Sequence, residues 1–350
     1  MRGFSGSYAP DDVTFLLEPI EMTPLGLEEK ERLIQAGRHY SELIGREERP
    51  SAAYLAAFDV AFAENRRRFA RDLLRLALLI KEARRATEEL TLVSLARAGT
   101  PIGVLLKRIL ERDKPVTHYS ISIIRDRGID EEALRYILER HPSESVVFVD
   151  GWTAKGVIQR ELERSLRGRA LPPELFVVAD LSGTAAEAAT GDDYLIPSAI
   201  LNATISGLIS RSILSSAHHR PGMFHGTLFL EELAPVDRSR WFIEEMMRDI
   251  GREAPSPPSA AWREARQAEC RAFIARASVE HGVRDENLLK PGVAEATRVL
   301  LRRVPQLLLV RAPTDVDIRH LLLLASERGV PTEVVPDLPY KAAAIIQRVS

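Results

Sequence analysis

The chain has 350 residues, 45% of them hydrophobic and 28% charged, with a formal net charge of −2. That mix suits a soluble chain of about two domains, and its near-neutrality excludes a global field drawing it to nucleic acid or membrane. A single cysteine, Cys270, excludes an internal disulfide and a thiolate metal cluster, and makes the cytoplasm the expected compartment.

The first residues, MRGFSGSYAPDD, lack the apolar run of a signal peptide. No run of about 18 apolar residues is present, so no membrane span is expected. DDVTFLLEPI (Asp11–Ile20) reads as a short strand, and LGLEEKERLIQAG as a helix stopping at Gly37. Ser51 is the expected N-cap of a long helix reaching about Arg85. TLVSLA (Thr91–Ala96), HYSISIIR (His118–Arg125), VVFVD (Val146–Asp150) and LFVVAD (Leu175–Asp180) read as strands with helices between them. That alternation predicts a parallel sheet covered on both faces. SAILNATISGLISRSIL has helical spacing, interrupted at Asn202, Thr204 and Gly207. AHHRPGMFHG reads as a loop and FIEEMMRDI as a helix. GREAPSPPSA, rich in Pro and Ser, is the best domain boundary, so residues 1–255 and 256–350 are taken as two units. In the second, AECRAFIARASVEHG, GVAEATRVLLRRV and IRHLLLLASERG read as helices, QLLLVRA and TEVVP as strands, and PYKAAAIIQRV as a closing helix. The result is a small α/β/α unit.

Ligands of open parallel sheets sit beyond the carboxyl ends of the strands. There the sequence places Asp150, then Gly151, Trp152, Thr153, Ala154, Lys155 and Gly156 before a helix. Free amides at the helix start, the Thr153 hydroxyl and two glycines would suit a phosphate, and Asp150 would suit sugar hydroxyls or a Mg²⁺ ion. The Walker order fails because Lys155 precedes Gly156, and the three-glycine dinucleotide pattern is absent. A plain strand–turn–helix is the bland alternative. A second small-residue turn, Arg97, Ala98, Gly99 and Thr100, follows an earlier strand and could hold a pyrophosphate. Arg125 and Arg127 add guanidinium forks, or simply cap a strand at the surface. His218, His219, Arg220 and His225 suit a substrate loop better than a metal site, and GRHYSE (His39, Tyr40, Ser41) either lines an acceptor pocket or caps a helix.

The two turns resemble the phosphate loops of type I phosphoribosyltransferases. With GSYAPDDVTFLL, GRHYSE, SLARAGTPIGVLLKR, HYSISIIRDRGID, FVDGWTAKG, DYLIPSAILNATISGLISR and FHG, the chain resembles, over nearly its whole length, the phosphoribosyltransferase-like proteins found with bacterial tellurite-resistance gene clusters. Those carry a C-terminal Pelota-type RNA-binding domain, and some bear a StiP "cysteine protease" label. LKPGVAEATRVLLRR is the segment similar to Pelota. In that superfamily a Gly-x-x-Glu turn meets RNA. The resemblance therefore implies RNA contact at Gly292 and Glu295, flanked by Lys290 and Arg298. From Pro258 to Ser350 there are 14 Lys and Arg against 11 Asp and Glu, a mild bias that permits phosphate contact.

The fold expected is thus a type I phosphoribosyltransferase-like parallel sheet with a small Pelota-like C-terminal domain. The expected activity is transfer of ribose phosphate from phosphoribosyl pyrophosphate, with Mg²⁺ at Asp150, to a base-like acceptor. Asp150 and Arg97 would serve catalysis. The alternatives are a nucleotide hydrolase or lyase, and a non-catalytic nucleotide sensor coupled to RNA binding. Expected partners are a phosphorylated sugar or nucleotide and RNA, with homo-oligomers permitted. Thiol proteolysis is disfavoured, because Cys270 lies outside every segment that carries the resemblance.

Overall fold

The computed structural model describes residues 3–257, 263–283 and 285–347. The chain begins with β1 (Thr14–Leu16), β2 (Glu18–Pro19) and α1 (Leu27–Gln35). The long helix α2 (Ala52–Ala83) is capped by Ser51, whose hydroxyl accepts the Tyr54 N–H at 3.2 Å. Phe58, Phe62, Phe69, Leu73, Leu76 and Ile80 recur at steps of three, four and seven along it and are buried. Then come β3 (Leu90–Leu95), α3 (Thr100–Leu110), β4 (Val116–Ile121) and a hairpin of β5 (Ile123–Ile124) and β6 (Gly128–Ile129). The next helix, α4 (Glu131–Leu138), is capped by Asp130, which accepts the Glu132 and Ala133 amides. The sheet continues through β7 (Val146–Thr153), α5 (Val157–Ser165), β8 (Leu175–Asp180) and β9 (Glu187–Thr190).

Six strands pair in the order β1-β4-β3-β7-β8-β9, all parallel. Strand alternation divides their side chains between two cores. Leu92, Val147, Val149, Phe176 and Val178 pack with α2 and α3 on one face. Val93, Leu95, Val146, Phe148, Leu175 and Val177 pack with α4 and α5 on the other. The expected α/β fold with helices on both faces is the fold observed.

Beyond the sheet, β10 (Gly226–Thr227) pairs with β2, and α6 (Ser239–Ile250) packs on α2 through Phe62–Phe242 and Phe69–Phe242 ring contacts. The second unit comprises α7 (Arg263–Glu280), β11 (Leu289–Pro291), α8 (Val293–Arg302), β12 (Pro305–Val310), α9 (Arg319–Glu327), β13 (Thr332–Val334) and β14 (Ala342–Ile346). Its sheet runs β11-β14-β12-β13, with β14 antiparallel to both neighbours.

Three expectations are corrected. Residues 195–215 form no α-helix but two 3-10 turns, Pro197–Ala199 and Ala203–Ile205. Gly207 and Leu208 take left-handed φ of 80° and 61°, which helix geometry forbids. The closing segment is a strand, not a helix: Ala342–Ile346 is buried along its whole length between β11 and β12, and that setting overrides alanine's helix preference. The VVFVD strand does not stop at Asp150. It runs on to Thr153, pairing Trp152 with Ala179 and Thr153 with Asp180. The Pro/Ser-rich linker falls partly on residues 258–262, and the end of the closing segment on residues 348–350, outside the described residues.

Candidate functional site

The second unit sits over the carboxyl ends of β7 and β8. The Tyr340 hydroxyl donates to the Ala154 carbonyl at 2.9 Å, and the Gln267 amide to the Gly183 carbonyl at 2.6 Å. Asp193, in the loop after β9, accepts the Val293 amide at 2.7 Å and the Lys341 amide at 2.8 Å.

Because β7 continues past it, Asp150 lies within a strand rather than at its end. Its carboxylate accepts the Gly151 amide at 2.7 Å. Burial pushes Asp150 up to about 7. The Gly151 bond and the nearby Arg298 oppose that shift, and Glu295 adds to it. The Thr153 hydroxyl accepts the Gly156 amide at 3.1 Å, so that amide is not left for a phosphate. Gly156 takes φ +68°, and a Cβ there would come within 2.5 Å of the Thr184 hydroxyl. Tyr340 covers Ala154, while Lys155, Val157 and Ile158 at the helix start stay half-buried, so part of the expected cradle is taken up by protein contacts.

Lys155 leaves the turn and crosses the seam, donating to the Glu286 carbonyl at 2.6 Å and the Leu289 carbonyl at 3.1 Å. Burial lowers it to about 8, assisted by Lys290. Lys290, on β11, is also lowered. Desolvation is the largest cause, and Arg303, Arg125 and Arg298 push in the same direction, against Glu295. Arg298 pairs with Glu295 at 2.9 Å and lies over the Trp152 ring, 5.8 Å from its centroid. Arg125 stacks on Tyr40 at 5.3 Å and reaches the Asn287 side chain across the seam. The structure thus brings Asp150, Trp152, Lys155 and Arg125 together with Lys290, Glu295 and Arg298.

Other expected site residues lie elsewhere. Arg97 is committed to Glu47 at 2.5 Å and to the Ile209 carbonyl at 2.9 Å. Thr100 is buried against Ser120, with the hydroxyls 2.8 Å apart, and Gly99 packs so close to β7 that a Cβ would meet the Val149 carbonyl at 2.8 Å. Ala98, between Arg97 and Gly99, is half-buried in the same turn, whose arginine is already paired. Arg127 pairs with Glu42 at 3.1 Å. His225 is buried against Ser122, and His219 meets the Met223 carbonyl. Among the described residues no group of three or more His, Cys, Asp or Glu is placed to hold a metal. Around Asp150 the nearby carboxylate of Glu295 is paired with Arg298, so the described residues assemble no carboxylate set for the expected Mg²⁺.

Two functional candidates escaped the sequence. Asp193 lies in GDDYLIP, where Gly191 and a second Asp read as an ordinary loop. Arg211 donates to the Tyr40 and Leu43 carbonyls, and burial lowers it to about 10, with Arg97 nearby adding to the shift. No local pattern marks either, because both act across long sequence separations.

Comparison with known proteins bears on what this rim serves. Residues 6–247 match the family described as tellurite-like stress resistance cysteine protease StiP. The chain belongs to the StiP family. Residues 268–348 match the PELOTA RNA binding domain. A curated relative, "Cysteine protease StiP" of Acinetobacter baylyi, is 42% identical, with 99% of this chain and 95% of that protein covered. Solved structures with some likeness include the hypoxanthine phosphoribosyltransferase of Trypanosoma cruzi, at 16% identity and TM-score 0.29, covering 37% of this chain and 82% of that one. A hypothetical protein from Neisseria gonorrhoeae with bound ppGpp matches at 18% identity and TM-score 0.23, covering 32% of this chain and 65% of that one.

The expectation of phosphoribosyl transfer is corrected on two grounds. The StiP family and the relative from Acinetobacter carry the name of a protease, not of a transferase. In the two loops expected to hold the sugar phosphate, the Gly156, Gly99 and Thr100 amides and the Thr100 hydroxyl already have partners inside the protein. Among the described residues no helix is long and apolar enough to cross a membrane.

Proposed function

We propose that this StiP-family chain is an RNA-binding protein of a tellurite-like stress response, and that RNA phosphates bind the rim formed by Lys290, Arg298 and Arg303 with Arg125. One observation carries the reading. Arg125 reaches Asn287 across the seam and so joins Lys290, Arg298 and Arg303 at one rim, where Lys290 is lowered mainly by burial, with the three arginines adding to the shift and Glu295 opposing it. Cations crowd where a polyanion would relieve their repulsion, and that is the electrostatic footprint of phosphate contact. Lys290, Arg298 and Arg303 also lie on the segment matching the RNA-binding family. Trp152, half-buried beside Arg298, offers a ring face of the kind on which unpaired bases stack.

The proteolysis in the family's name needs a thiolate poised beside a base in an open cleft. Cys270 is 3% exposed, donates to the Leu181 carbonyl at 3.4 Å and is pushed up by burial. No histidine is among the groups that shift it. Its surroundings are those of a core residue, so the protease reading is not carried to this chain.

Titrating labelled RNA at several salt concentrations tests the proposal. Affinity should fall with salt, and Arg298→Ala should weaken binding and reduce the log–log salt slope by about 1. An unchanged slope would remove Arg298 from the interface.

A further inference from the structure

The turn that the Pelota resemblance assigns to RNA is not open. Gly292, at φ +92°, has no side chain with which to cap α8. The cap comes from the other unit. One oxygen of Asp193 accepts the Val293 amide, the first of the helix, and the other accepts the Lys341 amide beside β14. A carboxylate at a helix N-terminus is favoured by the unpaired amides and by the helix dipole.

The fit is close. A Cβ on Gly292 would lie 2.6 Å from Leu181 Cδ1, and Val293 and Ala294 are buried. Asp193 is itself only 7% exposed. The seam around it joins apolar packing of Leu181, Val293, Ala294 and Tyr340 to a polar edge. That edge holds the Tyr340 and Gln267 bonds, and a cavity of about 60 Å³ whose lining includes Asp192, Asp193, Arg266, Arg311 and Lys341 beside Leu181 and Pro339. Burial also raises Asp193 to about 6, so the site resists the charge that its amides bind. At this polar edge a few directional bonds hold the amide end of α8, and losing one charged group weakens them together.

We propose that this docking is an autoinhibitory contact with Asp193 as its latch: RNA gains the Gly292–Glu295 turn when the Asp193 carboxylate leaves the Val293 and Lys341 amides. The proposal rests on the RNA-binding reading above. The opening it requires is local, at the amide end of α8 and the Tyr340–Lys341 segment.

The test uses the full chain with Asp193→Ala and Asp193→Asn. Hydrogen exchange at the Val293 and Lys341 amides reports the latch, and anisotropy of a fluorescein-labelled, unstructured single-stranded RNA reports binding. Asp193→Ala should speed exchange at both amides and tighten RNA binding about tenfold. Asp193→Asn keeps one acceptor oxygen and should fall between it and the wild type. Should Asp193→Ala fail to fold, Tyr340→Phe removes a neighbouring seam bond and should act in the same direction more weakly. If the wild type binds RNA and Asp193→Ala binds no better, or its two amides exchange no faster, the latch is overturned while the RNA reading stands. If exchange speeds up and neither protein binds RNA, both fall.

Discussion

Two residues carry most of the chemistry that distinguishes this chain from what its family's name suggests. The first is Cys270. A thiol raised by burial and bonded to a carbonyl is a poor nucleophile. In the native protein it should resist a thiol reagent and react promptly once unfolded, and Cys270→Ala should cost about 1 kcal/mol of stability without altering RNA binding. Rapid labelling of the folded chain would contradict this placement. The second is Asp150, raised from an ordinary 3.8 to about 7. The folded state therefore binds its proton more tightly than the unfolded state does. That contribution is fully present below the unfolded pKa and is lost as pH rises through about 7. Asp150→Asn should flatten this loss and, above neutrality, stabilise the protein by about 1–2 kcal/mol once partial exposure is allowed for. Denaturant melts of both proteins across that range check the sign. Equal pH profiles would show that Asp150 titrates normally.

At the scale of elements, β7 and its turn decide what the candidate site can be. Gly151 and Gly156 look alike in sequence, yet their surroundings differ. A Cβ on Gly151 would find Ile102 at 3.8 Å and the Ala98 carbonyl at 4.0 Å, which is ordinary contact. Gly156 combines left-handed φ with Thr184 at 2.5 Å. Gly156→Ala should therefore lose about 1–3 kcal/mol and Gly151→Ala much less, as thermal melts would show; equal losses would contradict the turn described. The α/β order was legible because strand alternation and helical spacing are local patterns, as in VVFVD and IGVLLKRIL. The Ser51 cap was legible for the same reason. The length of β7 was not, because Gly151 and Thr153 read as turn residues and only pairing with β8 keeps them extended. The Ala342–Ile346 strand was hidden in the same way: alanine favours helix until two neighbouring strands bury it. Of the site, Lys290, Arg298, Arg125 and Lys155 were found by residue type and resemblance. Asp193 was not, since its partners lie about a hundred and more residues away.

For the molecule as a whole, the decisive fact is where the second unit rests. A single apolar cluster runs from α2 and the sheet through Leu181 and Ala154 to Cys270, Phe273, Tyr340 and the β14 alanines. Shared burial of that kind couples unfolding. Calorimetry should show one transition, and two well-separated ones would contradict the shared core. On this base the polar rim can open locally while the core stays closed. The RNA-binding account depends on the rim itself, so its most direct test is where RNA touches the protein. Photocrosslinking labelled RNA to the intact chain and mapping the linked peptides by mass spectrometry should place contacts within residues 289–303 and around Arg125. Crosslinks confined to other segments, with none on Lys290 to Arg303, would contradict the account.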